Sequence, residues 1–374
     1  MARSLAYDPR HALNAIFPYF TMFPLEYPLA VLNRYRKSEA IVMDPFCGRG
    51  TTLYAARFLG LKAQGVDSSP IAIAIARAKL CAATASSALS LAETMLGHKR
   101  RVTIPKTEFF RTAFHPDTLT EICIIRRALL ALQRDSEASV LLRAAMLGCL
   151  HGPLRRSAAY FSNQMPRTFA SKPDYSLAFW NKHQLLAPNV RVLEVLNRKL
   201  SKIDPMPLPY RASFRDVWQG DSQKLSSVPA ARRNFSIVVT SPPYFGMRTY
   251  VEDQWLRSWF LGGPPAVVYG KSTQVSHAGL ESFAQALGRV WRNMASTSAP
   301  TLEMYIRFGT IQSAGADARG LLARSLELSG VNWMTRSVKS ARSADSGRRQ
   351  AAQMSPSSKA STEFDFHIIR KKAA

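Results

Sequence analysis

From residue 44 to 52 the chain reads Asp44-Pro45-Phe46-Cys47-Gly48-Arg49-Gly50-Thr51-Thr52, a glycine-rich bend between an apolar stretch at 40–43 and a helical pattern of Leu53, Ala56 and Leu59. Glycines at such a bend let backbone approach a ligand closely and aim the first N–H groups of a helix at it. With only Gly48-x-Gly50 and no lysine after it, the bend is neither the dinucleotide fingerprint nor a phosphate loop. Asp67 closes the next short strand, where a carboxylate can accept both hydroxyls of a ribose. A tight turn with a helix cap is the plain alternative. The placement of Asp67 favours a nucleoside ligand.

A second group follows the apolar run 235–239: Thr240-Ser241-Pro242-Pro243-Tyr244. Two prolines fix the backbone and remove N–H donors, so the local carbonyls are presented as acceptors. Ser241 adds a side-chain oxygen, and Tyr244 offers a flat ring. This set suits an exocyclic amine, whose lone pair is delocalised into its base. Acceptors that grip its hydrogens pull the nitrogen toward tetrahedral geometry and free that pair. The ring can stack on a base that has left its duplex, a contact worth ~1–3 kcal/mol. Taken alone, the four residues fit a turn capping a buried strand equally well.

Together, the 44–52 bend and the 240–244 corner resemble the cofactor and catalytic motifs of the bacterial amino-methylating DNA methyltransferases, the N4-cytosine and N6-adenine group. Val66-Asp67-Ser68-Ser69-Pro70-Ile71 is similar to that family's cofactor-ribose segment, and Gly220-Asp221-Ser222 to its adenine-contact segment. Residues 11–28, with Phe20-Thr21-Met22-Phe23-Pro24, resemble the motif that closes over the methionine end. The likeness covers roughly 1–82 and 214–310. It implies S-adenosyl-L-methionine held by Thr21, Asp44, Phe46, Gly48, Gly50, Thr51, Asp67 and Asp221. It also implies catalysis by Ser241, Pro242, Pro243 and Tyr244 on a base flipped from double-stranded DNA, in a restriction–modification setting where a partner nuclease has a place. The serine-headed corner is commoner among N4-cytosine enzymes, so cytosine N4 is the preferred target. Adenine N6, an RNA base amine and a catalytically silent DNA-binding subunit are the alternatives. Arg49 departs from the family, which often has serine there, beside the cofactor's amino-acid end.

Charge points the same way. Fifty Lys and Arg against 25 acids leave +25, which favours a polyanionic partner. Basic and aromatic residues interleave at 155–175 (Arg155, Arg156, Tyr160, Arg167), a pattern suited to phosphates and splayed bases or to a loop packing its aromatics inward. Arg348 and Arg349 mark a second basic stretch, and Tyr250 a further base contact. Trp255 and Trp259 read as helix core. Cys47, Cys81, Cys123 and Cys149 are widely spaced and none follows proline, which disfavours disulfides, zinc and a cytosine-C5 nucleophile. No metal is expected. His11, His115, His151 and His277 read as surface or capping residues. No apolar run reaches the ~18 residues that span a bilayer, so a cytoplasmic, nucleoid-associated protein without membrane contact is expected.

The elements needed to position these groups follow the order strand, glycine turn, helix, strand, acid, helix. They predict an α/β, Rossmann-like S-adenosylmethionine-dependent methyltransferase fold with a seven-stranded, mostly parallel sheet. The expected parts are a cofactor-binding part at 1–83, a mainly helical insertion at 84–213 that could recognise the target, and a catalytic part at 214–374. Within the insertion, Thr118 and Glu121 read as a capping box ahead of Ile122, Ile125, Leu129 and Leu132. Residues 336–362, rich in Ser, Ala and basic residues, read as a loop before a last strand near 364–369.

Overall fold

The computed structural model describes residues 13–14, 16–17, 24–98, 101–152, 159–162, 172–203, 213–229, 233–246, 251–269, 279–310, 315–341 and 362–371. The chain divides into two compact units. One comprises Tyr19–Leu80, Leu208–Thr249 and Thr273–Ala374, the other Met1–Pro18, Cys81–Pro207 and Tyr250–Ser272.

The first unit holds a seven-stranded sheet: β1 (Ile41–Asp44), β2 (Lys62–Asp67), β3 (Val217–Gln219), β4 (Phe235–Thr240), β5 (Ser298–Thr310), β6 (Trp333–Ser340) and β7 (Thr362–Arg370), in spatial order β3-β2-β1-β4-β5-β7-β6. Strands β1 to β5 pair in parallel, and only β7 runs antiparallel to its neighbours. This is the predicted Rossmann-like methyltransferase sheet. The central strands β1 and β4 are buried almost throughout, as the continuous apolar runs of parallel strands require. Helices α1 (Glu26–Leu32), α2 (Thr51–Phe58), α3 (Pro70–Leu80), α11 (Leu280–Thr297) and α12 (Ala318–Leu328) belong to the same unit. On α11, Phe283, Leu287, Val290, Trp291 and Met294 recur at three- and four-residue intervals and enter one core with Met304, Ile306 and Phe308 of β5.

The second unit is helical among its described residues: α4 (Ala85–Gly97), α5 (Glu108–Ala113), α6 (Pro116–Leu130), α7 (Glu137–Cys149), α8 (Pro173–Lys182), α9 (Val192–Leu200) and α10 (Trp255–Phe260). Trp255 and Trp259 are core residues as expected; their ring centroids lie 4.8 Å from Phe109 and 4.6 Å from Phe110, respectively.

Three expectations are corrected. Helix α6 starts at Pro116 with His115 as its cap, so Thr118 and Glu121 form no capping box. The Thr118 hydroxyl donates to the Val190 carbonyl, and the Glu121 carboxylate accepts the Val192 N–H at the start of α9. A proline at the first helical position, whose missing donor costs nothing there, outweighed the Thr-x-x-Glu pattern. His151 is buried rather than superficial, and burial together with the nearby Arg257 guanidinium pushes its pKa well down. The basic stretch from 336 begins in strand β6, which carries Arg336 and Lys339; Arg348 and Arg349 lie outside the described residues.

Candidate active site

The sheet order reverses between β1 and β4: the chain builds outward from β1 through β2 to β3, then returns to lay β4 on the other side of β1. Such a reversal opens a crevice beyond the carboxyl ends of the two strands. The glycine bend follows β1 and the Ser-Pro-Pro-Tyr corner follows β4, so the fold brings both groups to that crevice.

The contact between them is specific. Val42 and Met43 pair with Ile237 and Val238, and one step beyond, the Thr240 hydroxyl donates to Asp44 Oδ1 at 2.6 Å. The Thr52 hydroxyl, at the start of α2, donates to the Val239 carbonyl at 3.2 Å. Asp44 also accepts the Phe46 N–H at 3.1 Å, while its Oδ2 is buried with no hydrogen-bond partner among the described residues. Burial pushes the Asp44 carboxyl up to about 6, against the opposing pull of the hydrogen bonds from Thr240 and Phe46.

The bend is shaped by its glycines. Gly50, cap of α2, has φ +77°, and a Cβ there would sit 2.9 Å from the Cα and Cβ of Ala76. Gly48 has φ +49°, and its nearest neighbour would be the Phe46 carbonyl at 3.9 Å, so backbone lies open on that side. Asp67 accepts the Gly48 N–H and the Ser69 N–H, both at 2.9 Å, one on each oxygen. Burial raises its pKa, and those two bonds oppose the rise. The Gly220 N–H donates to the Asp67 carbonyl, which sets Asp221 beside it; Asp221 Oδ1 accepts the Gln223 N–H at 3.0 Å. Ser222 ties this segment to the bend through the Pro45 carbonyl. Phe46 is half-buried against Trp291, and Thr51 is buried at the head of α2. Arg49 is buried beside Lys79 and, with burial, lowers the pKa of that amine.

In the corner, Ser241 and Pro243 are half-buried and Pro242 is buried. Tyr244 is only 7% exposed, edge-on to Phe308 at 5.9 Å. Its ring offers a base little surface in this arrangement, and stacking as expected requires it to turn outward. Burial and the Glu363 carboxylate hold its hydroxyl protonated, well above the usual tyrosine range. Cys47 is likewise buried; burial, with Asp67 and Asp44, keeps its thiol protonated and unsuited to nucleophilic attack.

Of the remaining predicted residues, Thr21, Arg155, Arg156, Arg167 and Tyr250 lie outside the described residues. Tyr160 is half-buried, and its neighbour Phe161 is fully buried with its N–H on the Cys149 carbonyl, so this end of the basic tract packs inward. Thr52 and Thr240 stood within the two motifs without a role of their own, and Glu363 was not singled out and had no signal in the sequence. Among the described residues no group of three or more His, Cys, Asp or Glu is gathered to hold a metal ion, and no helix is long and apolar enough to cross a membrane.

This sheet order, with a glycine bend and a proline-stiffened corner at its reversal point, defines a Rossmann-like methyltransferase fold. Residues 3–78 match the family model described as DNA methylase, of the N6/N4 amino-methylating kind, which bears out the resemblance drawn from the motifs. No curated protein matches the chain. Among solved structures, an rRNA methyltransferase, aviRa, from Streptomyces viridochromogenes aligns at 12% identity over 94% of this chain and 87% of that one, with a TM-score of 0.35. A structure titled for conversion of a disulfide bond into a thioacetal group during echinomycin biosynthesis aligns at 10% identity over 97% and 90%, with a TM-score of 0.34.

Proposed function

We propose that the protein transfers a methyl group from S-adenosyl-L-methionine to an exocyclic amino nitrogen of a DNA base, with cytosine N4 as the preferred target. The observation that carries this reading is the Thr240–Asp44 hydrogen bond, which fastens the end of the catalytic corner's strand to the head of the cofactor bend. The site also fits the cofactor's charge. Asp44, Asp67 and Asp221 stand at the carboxyl ends of β1, β2 and β3, a local negative field inside a chain of net charge +25. Bound there, the cofactor supplies a methyl group activated on a sulfonium cation.

The residues take the following parts. Gly48 and Gly50 keep the bend clear of side chains, Phe46 and Thr51 flank it, and Asp67 has lone pairs left for the ribose hydroxyls. Asp221 offers its second oxygen to an adenine amino group, and Thr21 belongs with the set by family likeness. Ser241 and the Pro242 carbonyl accept hydrogen bonds from the target amine and localise its lone pair for attack, while Pro243 stiffens the corner and Tyr244 borders the base. Preorganised acceptors of this kind need no rearrangement as charge develops on the nitrogen. A base must first leave its duplex, and the chain's positive charge favours the phosphate contacts that help offset unstacking. The residues proposed to contact DNA are Arg155, Arg156, Arg167, Arg348 and Arg349 at phosphates, and Tyr160 and Tyr250 at bases.

The test is methyl transfer from labelled cofactor to duplex DNA and, in parallel, to total RNA, followed by nucleoside analysis. N4-methylcytosine in DNA is the expected product. N6-methyladenine would keep the reaction and move the target, label confined to RNA would overturn the DNA reading, and DNA binding without transfer would mark a silent subunit.

A further inference from the structure

We infer that Gln223 and Arg289 are positioning residues that orient the Asp221 carboxylate and so set which nucleobase the proposed cofactor site accepts. This deepens the reading above and rests on its assignment of Asp221 to an adenine amino group.

Helix α11 holds the loop after β3 at two points. Its apolar positions are turned into the core, and Arg289 and Asn293, about one turn apart, lie on the side that meets the loop. Asn293 Nδ2 donates to the Ser222 carbonyl at 2.9 Å. The Arg289 guanidinium donates through Nε and Nη2 to Gln223 Oε1, at 3.2 and 2.6 Å. At its other end the Gln223 side-chain amide donates through Nε2 to Asp221 Oδ1 at 3.3 Å, beside the backbone N–H of the same glutamine at 3.0 Å. The Asp221 carbonyl is held as well, by the Lys224 N–H and the Ser227 hydroxyl.

The order cation, amide, carboxylate admits one orientation of the glutamine. Turned over, its amide would set N–H groups against the guanidinium donors and a carbonyl against the carboxylate. With Arg289 fixing Oε1, Nε2 is aimed at Asp221, and both donors of Gln223 fall on Oδ1. Oδ2 keeps its lone pairs for a ligand. A carboxylate oxygen accepts hydrogen bonds and does not donate them, so it suits an amino group and opposes a carbonyl in the same place. Adenine and hypoxanthine differ in that one group. The terminal torsion of an aspartate is broad, and a carboxylate free to turn would present its oxygens in no fixed direction. Gln223, braced by Arg289, removes that freedom. Asp67 takes its two bonds from the Gly48 and Ser69 N–H groups, so the ribose end is oriented independently of this pair.

The test is calorimetric binding of S-adenosylhomocysteine and of S-inosylhomocysteine, its counterpart with a carbonyl in place of the amino group, to the full-length protein. The parent is expected to favour the adenine compound roughly 10–100-fold, the value of one hydrogen bond to a charged group. Arg289→Ala and Gln223→Ala should each shrink that ratio roughly 3–10-fold, as for a side chain that must be ordered on binding. The double variant should shrink it no further, since either change breaks the same chain. Gln223→Glu keeps an acceptor for Arg289 and loses only the donor to Asp221, so it should lose as much discrimination as Gln223→Ala; a mere tether between loop and helix would survive it. Arg289→Lys should recover part of the ratio. Arg289 is exposed, so these variants should melt close to the parent. The 2′-deoxyribose form of S-adenosylhomocysteine should be disfavoured by the same factor in all of them. Arg324→Ala, which removes an exposed charge on α12, should leave the base ratio at the parent value. Parent-like discrimination by Gln223→Glu and Arg289→Ala would overturn the inference, and loss of discrimination in Asp221→Ala alone would show that the cofactor site stands without it. A parent that binds neither compound, or both alike, would remove the assignment of Asp221 and this inference with it.

Discussion

Replacing Asp44 by asparagine isolates the cost of holding a charge at the centre of the proposed site. Its carboxyl is buried and shifted from 3.8 to about 6, a change of about two units. At 1.36 kcal/mol per unit, the ionised form destabilises the folded protein by about 3 kcal/mol. The sign follows from proton counting. Between those two values the folded state holds a proton that the unfolded chain has lost, so stability falls as pH rises through the window and is level above it. About 2 kcal/mol of the effect lies between pH 4.5 and 7.5. Asp44→Asn keeps an acceptor for Thr240 and Phe46 but places an amide N–H₂ where Oδ2 has no described partner, a fixed cost of roughly 1–3 kcal/mol at every pH. The absolute difference between the proteins is thus less informative than its slope. Urea unfolding followed by tryptophan fluorescence should show the variant gaining about 2 kcal/mol on the parent between pH 4.5 and 7.5. A difference that stays constant across that range would refute the assignment of a buried, elevated carboxyl to Asp44. Under the proposed function the same charge serves the sulfonium, so the parent's preference for S-adenosylmethionine over its neutral thioether product should weaken below pH 6, as Asp44 takes up its proton.

Two further outcomes follow from the bend and the corner. Gly50→Ala forces a side chain into a left-handed residue 2.9 Å from Ala76 and should cost about 2–5 kcal/mol, combining backbone strain with overpacking, read as a lowered melting temperature and loss of cofactor binding. Thr240→Val removes the 2.6 Å bond to Asp44, so the Asp44 carboxyl should titrate higher still and stability at pH 7.5 should drop by roughly 1–2 kcal/mol; carbon-13 carboxyl titration distinguishes this from simple loosening, which would lower the pKa by admitting water.

The parts of this protein that were legible in its sequence are those where one local rule acts alone. Strands β1 and β4 are buried on both faces, so their apolar runs stand out, and the turns that follow them carry glycine or proline for backbone reasons that composition displays. Strand β6 was hidden because it is a sheet edge with most of its residues exposed, so Thr335, Arg336, Lys339 and Ser340 gave it the composition of a loop. The start of α6 was misread because Thr118 satisfies the same pattern whether it caps its own helix or, as it does, bonds a carbonyl many residues away. The burial of Tyr244 and the influence of Glu363 on it were beyond reach, since they depend on how β5 and β7 pair, with Gly309 opposite Glu363.

The sheet order explains why such distant pieces of sequence meet at all. Among the described residues six α-helices, α4 to α9, lie between α3 and β3, yet the chain resumes the sheet at β3 beside β2, with Val217 in register with Gly65. An excursion that leaves and rejoins on the same flank leaves the pairing of β1 with β4 untouched, so its length is free to vary without disturbing the crevice. The polar groups at that crevice are joined within the sheet unit: Thr240 to Asp44, Thr52 to Val239, Ser222 to Pro45, each a bond between strand ends or the turns that follow them. Precision at the proposed reaction centre therefore depends on the sheet.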